Sequence, residues 1–259
     1  MSDPTGRHAA DPADEAPEPE EHPGLPTDVT PSQPLAEIPR PYTREAMDAR
    51  EQEIKDGILR MGSVVAERIV GAIEALERHD AEAATWIIEH DREVNAMERE
   101  ISQLITLTIA TQQPVARDLR FLLTLLEVAY DLERMGDYAG SVAKQARKLA
   151  PNPPLKDYVH LPEMGRLAAT LVRDVLQAVV EVDAERARAV AKRDDDVDEL
   201  YHAIFAEVLD LMRLDPANVD PGMRIVFAAH YLERVGDRVT NIAEDVVYLA
   251  TGEVAELNE

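Results

Sequence analysis

The sequence predicts an all-α protein made of two tandem three-helix bundles behind a disordered N-terminal tail. Three observations predict it. Ala, Leu, Val, Glu and Arg dominate the 259 residues while aromatics supply only 4%, a mixture that favours helices over strands. Long proline-free windows carry apolar residues every three or four positions. The two halves of the chain also repeat each other in sequence.

Proline placement sets the element borders. Ten of the 17 prolines precede residue 42, in a segment with nine acids against two bases. Such a composition does not bury enough apolar surface to offset its ordering entropy, so residues 1–41 are expected to be a disordered acidic tail. The remaining prolines fall between helical windows, as expected of a residue tolerated only in a helix's first turn. From about Thr43 to Arg78, Ile54, Ile58, Met61, Val65, Ile69, Ile73 and Leu76 form one apolar stripe. Asp80 is placed to cap a second helix running to about Ala110, and Pro114 opens a third that reaches about Ala150. These make a first repeat over 42–150. A linker, "PNPPLKDYVHLP", occupies 151–162. The second repeat, 163–252, holds helices from about Glu163 to Val182, Asp183 to Met212 and Pro221 to Ala250. A short C-terminal tail, 253–259, follows.

"HDAEAATWIIEHDREVNAME" from His79 parallels "VDAERARAVAKRDDDVDELY" from Val182, pairing Asp80 with Asp183, Asp91 with Asp194 and Asn95 with Asp198. Met61-Gly62 and Met164-Gly165 match in the same register, an offset of 103 residues. "LERMGD" from Leu132 matches "LERVGD" from Leu232 at an offset of 100, which implies a shorter loop in the second half. Two copies of one three-helix unit follow.

Charge excludes several function classes. The formal net charge is -24, so nucleic acid and anionic membrane surfaces are repelled, and metal cations or basic protein surfaces are the natural partners. No cysteine is present, so neither a disulfide framework nor a thiolate metal site is expected. No apolar run is long enough to insert into a membrane. The N-terminus lacks a basic start and an apolar region, so the default location is the cytoplasm. No glycine-rich phosphate loop or nucleophile–base pair is visible, and no catalytic or organic-cofactor site is expected.

The third helix of each repeat carries Glu-x-x-x-Asp: Glu133 with Asp137, and Glu233 with Asp237. The second carries another polar pair at the same spacing: Asp91 with Asn95, and Asp194 with Asp198. Residues four apart share a helix face, where like charges repel by about 0.2–0.5 kcal/mol per pair. Such strips are either solvated or neutralised by a cation; if helices two and three lie side by side, the pairs face each other and suit Mg²⁺, Mn²⁺, Fe or Zn²⁺. Asn241 and Asp245 continue the second strip. Gly136 and Gly236, in helix interiors, point to close approach by a neighbouring helix. Arg134 and Arg234 read as ion-pair partners of acids, His202 and His230 as surface or interhelix residues, and Trp86 and the methionines as core.

The twin motifs "LERMGD" and "LERVGDRVTNIAE", with "QQPVARDLR" from Gln112, resemble the PhoU family of phosphate-uptake regulators, over about residues 43–252. The resemblance implies two pseudo-symmetric three-helix bundles whose acidic motifs bind divalent or trivalent metal ions (Fe, Zn, Mn or Mg) on one surface. It implies a regulator, not an enzyme. Its partners would be a phosphate ABC transporter with its ATPase and a phosphate-sensing histidine kinase, which it would restrain. A homodimer is expected. The positions carried over are Glu133, Asp137, Glu233 and Asp237, then Asp91, Asp194 and Asp198, with Asn241 completing Gly-Asp-x-x-x-Asn. The first repeat departs from that pattern with Ser141 and has Lys144 where the second has Glu244, so weaker metal binding is expected there. Asp118 matches a family position with no assigned role. Two alternatives stand: an accessory protein of an ion-coupled phosphate permease, and a ferritin-like di-metal protein. For the latter, only Glu199-x-x-His202 fits the required ligand pattern.

Overall fold

A computed structural model describes residues 43–155 and 160–257. The tail expected over 1–41 lies outside the described residues. Among the described residues the chain is helical with no strand: α1 (Arg44–Glu77), α2 (Ala81–Glu89), α3 (Asp91–Gln112), α4 (Ala116–Leu149), α5 (His160–Glu181), α6 (Ala184–Ala191), α7 (Asp194–Leu214) and α8 (Val219–Thr251), with a 3-10 turn at Pro216–Asn218. Arg40–Glu259 forms one compact unit. No helix among the described residues is long and apolar enough to cross a membrane.

The prolines sit where they are tolerated. Pro162 and Pro221 lie in the first turns of α5 and α8, and Pro216 opens the 3-10 turn. Helix α5 begins at His160, inside the segment expected to be linker, because Pro162 suits a first turn rather than ending a loop. Both expected caps form. Asp80 accepts from the N–H groups of Glu82 and Ala83, and Asp183 from those of Glu185 and Arg186. Each follows a residue in the left-handed region, His79 and Val182, both at φ 54°. At each junction the cap's own N–H closes the preceding helix by donating to Ala75 or Ala178, a Schellman closure.

The second helix of each repeat, expected to be continuous, is broken in two. It breaks at His90 (φ -92°, ψ 7°) in the first repeat and at Lys192–Arg193 in the second. The two breaks are held differently. In the first, the buried Arg68 guanidinium donates to the carbonyl of His90 and to Glu93. In the second, Leu171 replaces that arginine, and Arg193 itself reaches Asp174 at 2.8 Å. Neither break contains proline or glycine, so nothing local announced it.

The long helices α1, α4, α5 and α8 make the shared core, with α2–α3 and α6–α7 packed outside them. Contacts across the core obey the repeat. A Cβ on Gly62 would fall on Leu176 Cδ1, and one on Gly165 would lie 2.6 Å from Ile73 Cγ1. These are the same contact related by the 103-residue offset. Helices α4 and α8 run antiparallel: Asp131 meets Arg238, and seven residues on in α4, Tyr138 stacks on Tyr231. The two bundles are therefore related by a pseudo-twofold passing between α4 and α8. The C-terminal segment is not free: the Leu257 N–H donates to Glu244 at 2.7 Å, and Ala255 and Leu257 pack on the core. Asp118 bonds to Arg44 at 2.7 Å, joining the starts of α4 and α1, and makes no side-chain cap.

Candidate metal-binding site

The breaks in the second helices position the acids. Asp91 and Asp194 are the first residues of α3 and α7, and each helix then runs antiparallel to the third helix of its repeat. The small residues on α4 and α8 allow close approach. A Cβ on Gly136 would lie 3.1 Å from Val94 Cγ1, and one on Gly236 would fall on Asp194 Oδ1. The interior glycines are thus explained: in the second repeat, glycine makes room for a carboxylate.

Asp194 is the deepest of the acids, 7% exposed. Its Oδ2 accepts from Thr240 at 3.1 Å, while its Oδ1 is buried without a hydrogen-bond partner. Burial pushes its pKa up to about 6, and the charges of Asp198, Asp237 and Glu233 push the same way against the Thr240 bond. Asp198 and Glu233 are raised too, each first by burial and next by Asp237. These four carboxylates therefore feel one another across α7 and α8. Two imidazoles stand at the edge: His230 Nδ1 is 3.2 Å from Glu233 Oε2, and the charge of His202 favours ionised Asp198. Asn241 is half-buried, one turn beyond Asp237.

The first repeat holds the equivalent cluster with different members. Glu133 is raised by burial and then by Asp137, with Glu98 and Asp91 adding to it; Asp137 is raised by burial and then by Asp91. Asn95 Oδ1 is buried without a partner. Glu98 was missed in the sequence. It lies seven residues after Asp91, on the same helix face, and returns the carboxylate that Asn95 lacks relative to Asp198. Lys144 acts on Asp137 in the opposite direction, lowering its pKa. Thr240 was missed as well; its counterpart Gly140, 3.8 Å from Asp91 Oδ1 at its built Cβ, offers no hydroxyl.

The sequence-predicted residues are brought together in two groups, one per repeat, but neither group is a finished cage. Among the described residues, no three or more His, Asp or Glu side chains are arranged to hold a metal ion as they stand. Arginines from the same helices compete for the acids: Arg234 lies 2.9 Å from Asp237, and Arg134 lies 3.7 Å from both Glu133 and Asp137. Metal binding requires these carboxylates to turn from guanidinium to cation. The donor set fits a hard or borderline ion, being rich in oxygen, with unpaired buried oxygens on Asp194 and Asn95. Trp86, expected in the core, is 54% exposed. Glu199 and His202 are exposed on α7.

The PhoU domain model matches residues 58–146 and 161–246. The chain is 38% identical over 218 residues to a phosphate-specific transport system accessory protein PhoU homolog of Clostridium acetobutylicum, covering 84% of this chain and all of that protein. It is 39% identical over 196 residues to a homolog of the same description in Xylella fastidiosa, covering 76% and 83%. The crystal structure of PhoU from Pseudomonas aeruginosa superposes with a TM-score of 0.76 at 33% identity, covering 80% of this chain and all of the other. The phosphate transport system regulatory protein PhoU from Streptococcus pneumoniae gives 0.75 at 31%, covering 81% and 99%.

Proposed function

The chain belongs to the PhoU family, and from that premise we propose that it is a metal-binding accessory regulator of a phosphate-specific transport system. It restrains phosphate uptake by the ABC transporter through the transporter's ATPase, and it restrains signalling by the phosphate-sensing histidine kinase. It works in the cytoplasm as a homodimer and catalyses no reaction. The observation that carries the metal reading is the duplicated acidic cluster, with mutually raised carboxylates and unpaired buried oxygens in both repeats. Glu133, Asp137, Asp91 and Glu98 would hold metal in the first repeat. Asp194, Asp198, Glu233 and Asp237 would hold it in the second, with Asn241 as a further oxygen. A bound cation supplies positive charge that offsets carboxylate repulsion. Thr240 fixes the orientation of Asp194, and the His230 imidazole screens Glu233. Names of the relatives support a phosphate-specific system over an ion-coupled permease.

The test measures phosphate uptake and kinase output in phosphate-replete cells with the gene intact, deleted, or replaced by a Glu233→Gln/Asp237→Asn variant. Deletion is expected to raise both readouts. If deletion changes neither, the regulatory reading fails.

A further inference from the structure

A cavity of about 710 Å³ opens between α1 and α2 of the first repeat. Its apolar lining includes Val64, Ala75 and Ile87, and Trp86 and His90 also line it. Those two rings stack at 4.1 Å and 20°, which steadies a large aromatic that is 54% exposed. The second repeat differs at the matching positions. There Ala189 replaces Trp86 and Asp174 replaces Gly71. The Asp174–Arg193 ion pair, 2.8 Å, spans the place. Packing does not demand Gly71: an added Cβ would meet only Ile87 Cδ1 within 4 Å, at an ordinary 3.4 Å. Glycine inside a helix costs about 1 kcal/mol relative to alanine, so the first repeat keeps this space open against its own stability.

Charge identifies the occupant. Glu67, Glu74, Asp80 and Glu93 line the cavity against Arg68 and Arg78. Arg68, 4% exposed, is committed to His90 and Glu93, and Arg78 faces Glu74 at 3.5 Å. Arg68 Nη1 is buried without a hydrogen-bond partner, but the four acids outnumber the two guanidiniums, so the lining is net negative and favours a cationic guest. An aromatic surface beside carboxylates suits a Lys or Arg head, and an apolar floor suits an aliphatic side chain. We propose that this groove docks a basic amphipathic helix of a partner protein, with an aliphatic anchor above Val64, Gly71 and Ile87 and a cationic residue between Trp86 and Glu67. The proposal is independent of the metal clusters.

Trp86 is the only tryptophan in the chain, so its emission reports the groove without a label. The full-length protein is titrated with an amphipathic Leu/Lys helix of about 18 residues, with a Lys/Ser peptide of equal charge, and with a Leu/Glu helix. Saturable blue-shifted emission is expected with the Leu/Lys helix alone. Gly71→Met, which fills the floor, is expected to weaken that binding at least about tenfold with the circular dichroism unchanged. Glu67→Lys, on an exposed face where folding is not at stake, is expected to weaken it about tenfold as well. Equal affinity of Glu67→Lys and the parent overturns the proposal. So does an equal response to the Lys/Ser or Leu/Glu peptide, or unchanged affinity of a folded Gly71→Met.

Discussion

Asp131 on α4 and Arg238 on α8 form an ion pair at 3.2 Å across the centre of the molecule, and its pseudo-symmetric counterpart is not an ion pair. Under the repeat, Asp131 corresponds to Tyr231 and Arg238 to Tyr138. Those two tyrosines stack at 6.3 Å. One backbone arrangement thus supports a charged contact on one side of the axis and an aromatic one on the other. Asp131 is held among Glu127 and Asp245, with burial raising its pKa and Arg238 opposing the rise. Removing the cation leaves a partly buried carboxylate beside two others. Arg238→Met is expected to cost about 2–3 kcal/mol, and Asp131→Asn in that background to restore part of the loss. Denaturant unfolding of both single variants and the double variant measures the coupling; strict additivity refutes it.

Asp245 gives stability a specific pH dependence. Burial pushes its pKa up to about 6, with Asp131, Glu127 and Glu244 adding repulsion. Its pKa in the unfolded chain is about 3.9. Below that value the residue is neutral in both states and imposes no penalty. As pH rises from about 4 to about 6 the unfolded chain releases the proton first, so the folded state loses stability, and above about 6 the loss is constant. Asp245→Asn is expected to gain about 1 kcal/mol at pH 7.5, allowing for solvent screening, and nothing at pH 3.5. The difference in Tm between variant and parent, followed across that range, checks the sign.

The paired caps test the repeat directly. Asp80 and Asp183 follow left-handed residues of identical φ and each accepts two backbone N–H groups. Asp80→Ala and Asp183→Ala are each expected to cost about 1 kcal/mol. The caps lie in different repeats and share no partner, so the double variant should lose the sum. Urea midpoints of the three variants settle whether the two junctions are energetically equivalent.

The caps, the six-rod plan and the pairing of acids across helices were legible because each rests on local rules: spacing, cap chemistry and duplication. The breaks at His90 and Arg193 were not, because tertiary partners on α1 and α5, Arg68 and Asp174, make them. Glu98 was hidden because the repeat places Tyr201 opposite it, so matching halves against each other passed over it. Trp86 was misplaced because a large apolar residue on an amphipathic helix reads as core, whereas the neighbouring Gly71 leaves it a cavity to border. Arg134 and Arg234 were legible as ion-pair partners, but not as competitors for the acids on their own helices.

Two glycines related by the repeat should respond unequally to one added methyl. Gly62 faces Leu176, whose Cδ1 is the far end of a side chain with two rotatable bonds. Gly165 faces Ile73 at both Cγ1, 2.6 Å, and Cβ, 3.2 Å. Isoleucine is stiff at χ1 in a helix and its Cβ moves only with the backbone. Gly165→Ala is therefore expected to cost about 2–3 kcal/mol and Gly62→Ala about 1 kcal/mol, each already reduced by the helix propensity of alanine. Equal costs in denaturant unfolding contradict the argument.

The metal reading predicts a difference between the repeats. Lys144 places positive charge near Asp137, whereas the second cluster has no lysine at the matching Glu244, which is occupied with Leu257. Asp194 also presents an unpaired oxygen steadied by Thr240, a device Gly140 does not supply to Asp91. Glu233→Gln/Asp237→Asn is therefore expected to remove more bound metal than Glu133→Gln/Asp137→Asn when each purified protein is measured by elemental analysis after equal loading. In chelator, both variants should melt slightly higher than the parent, because removing neighbouring like charges relieves about 0.2–0.5 kcal/mol per pair. In excess metal the order should reverse, since the parent alone gains the binding free energy of the full set of carboxylates. Unchanged metal content in both variants, with no such reversal, leaves the clusters as solvated acidic faces.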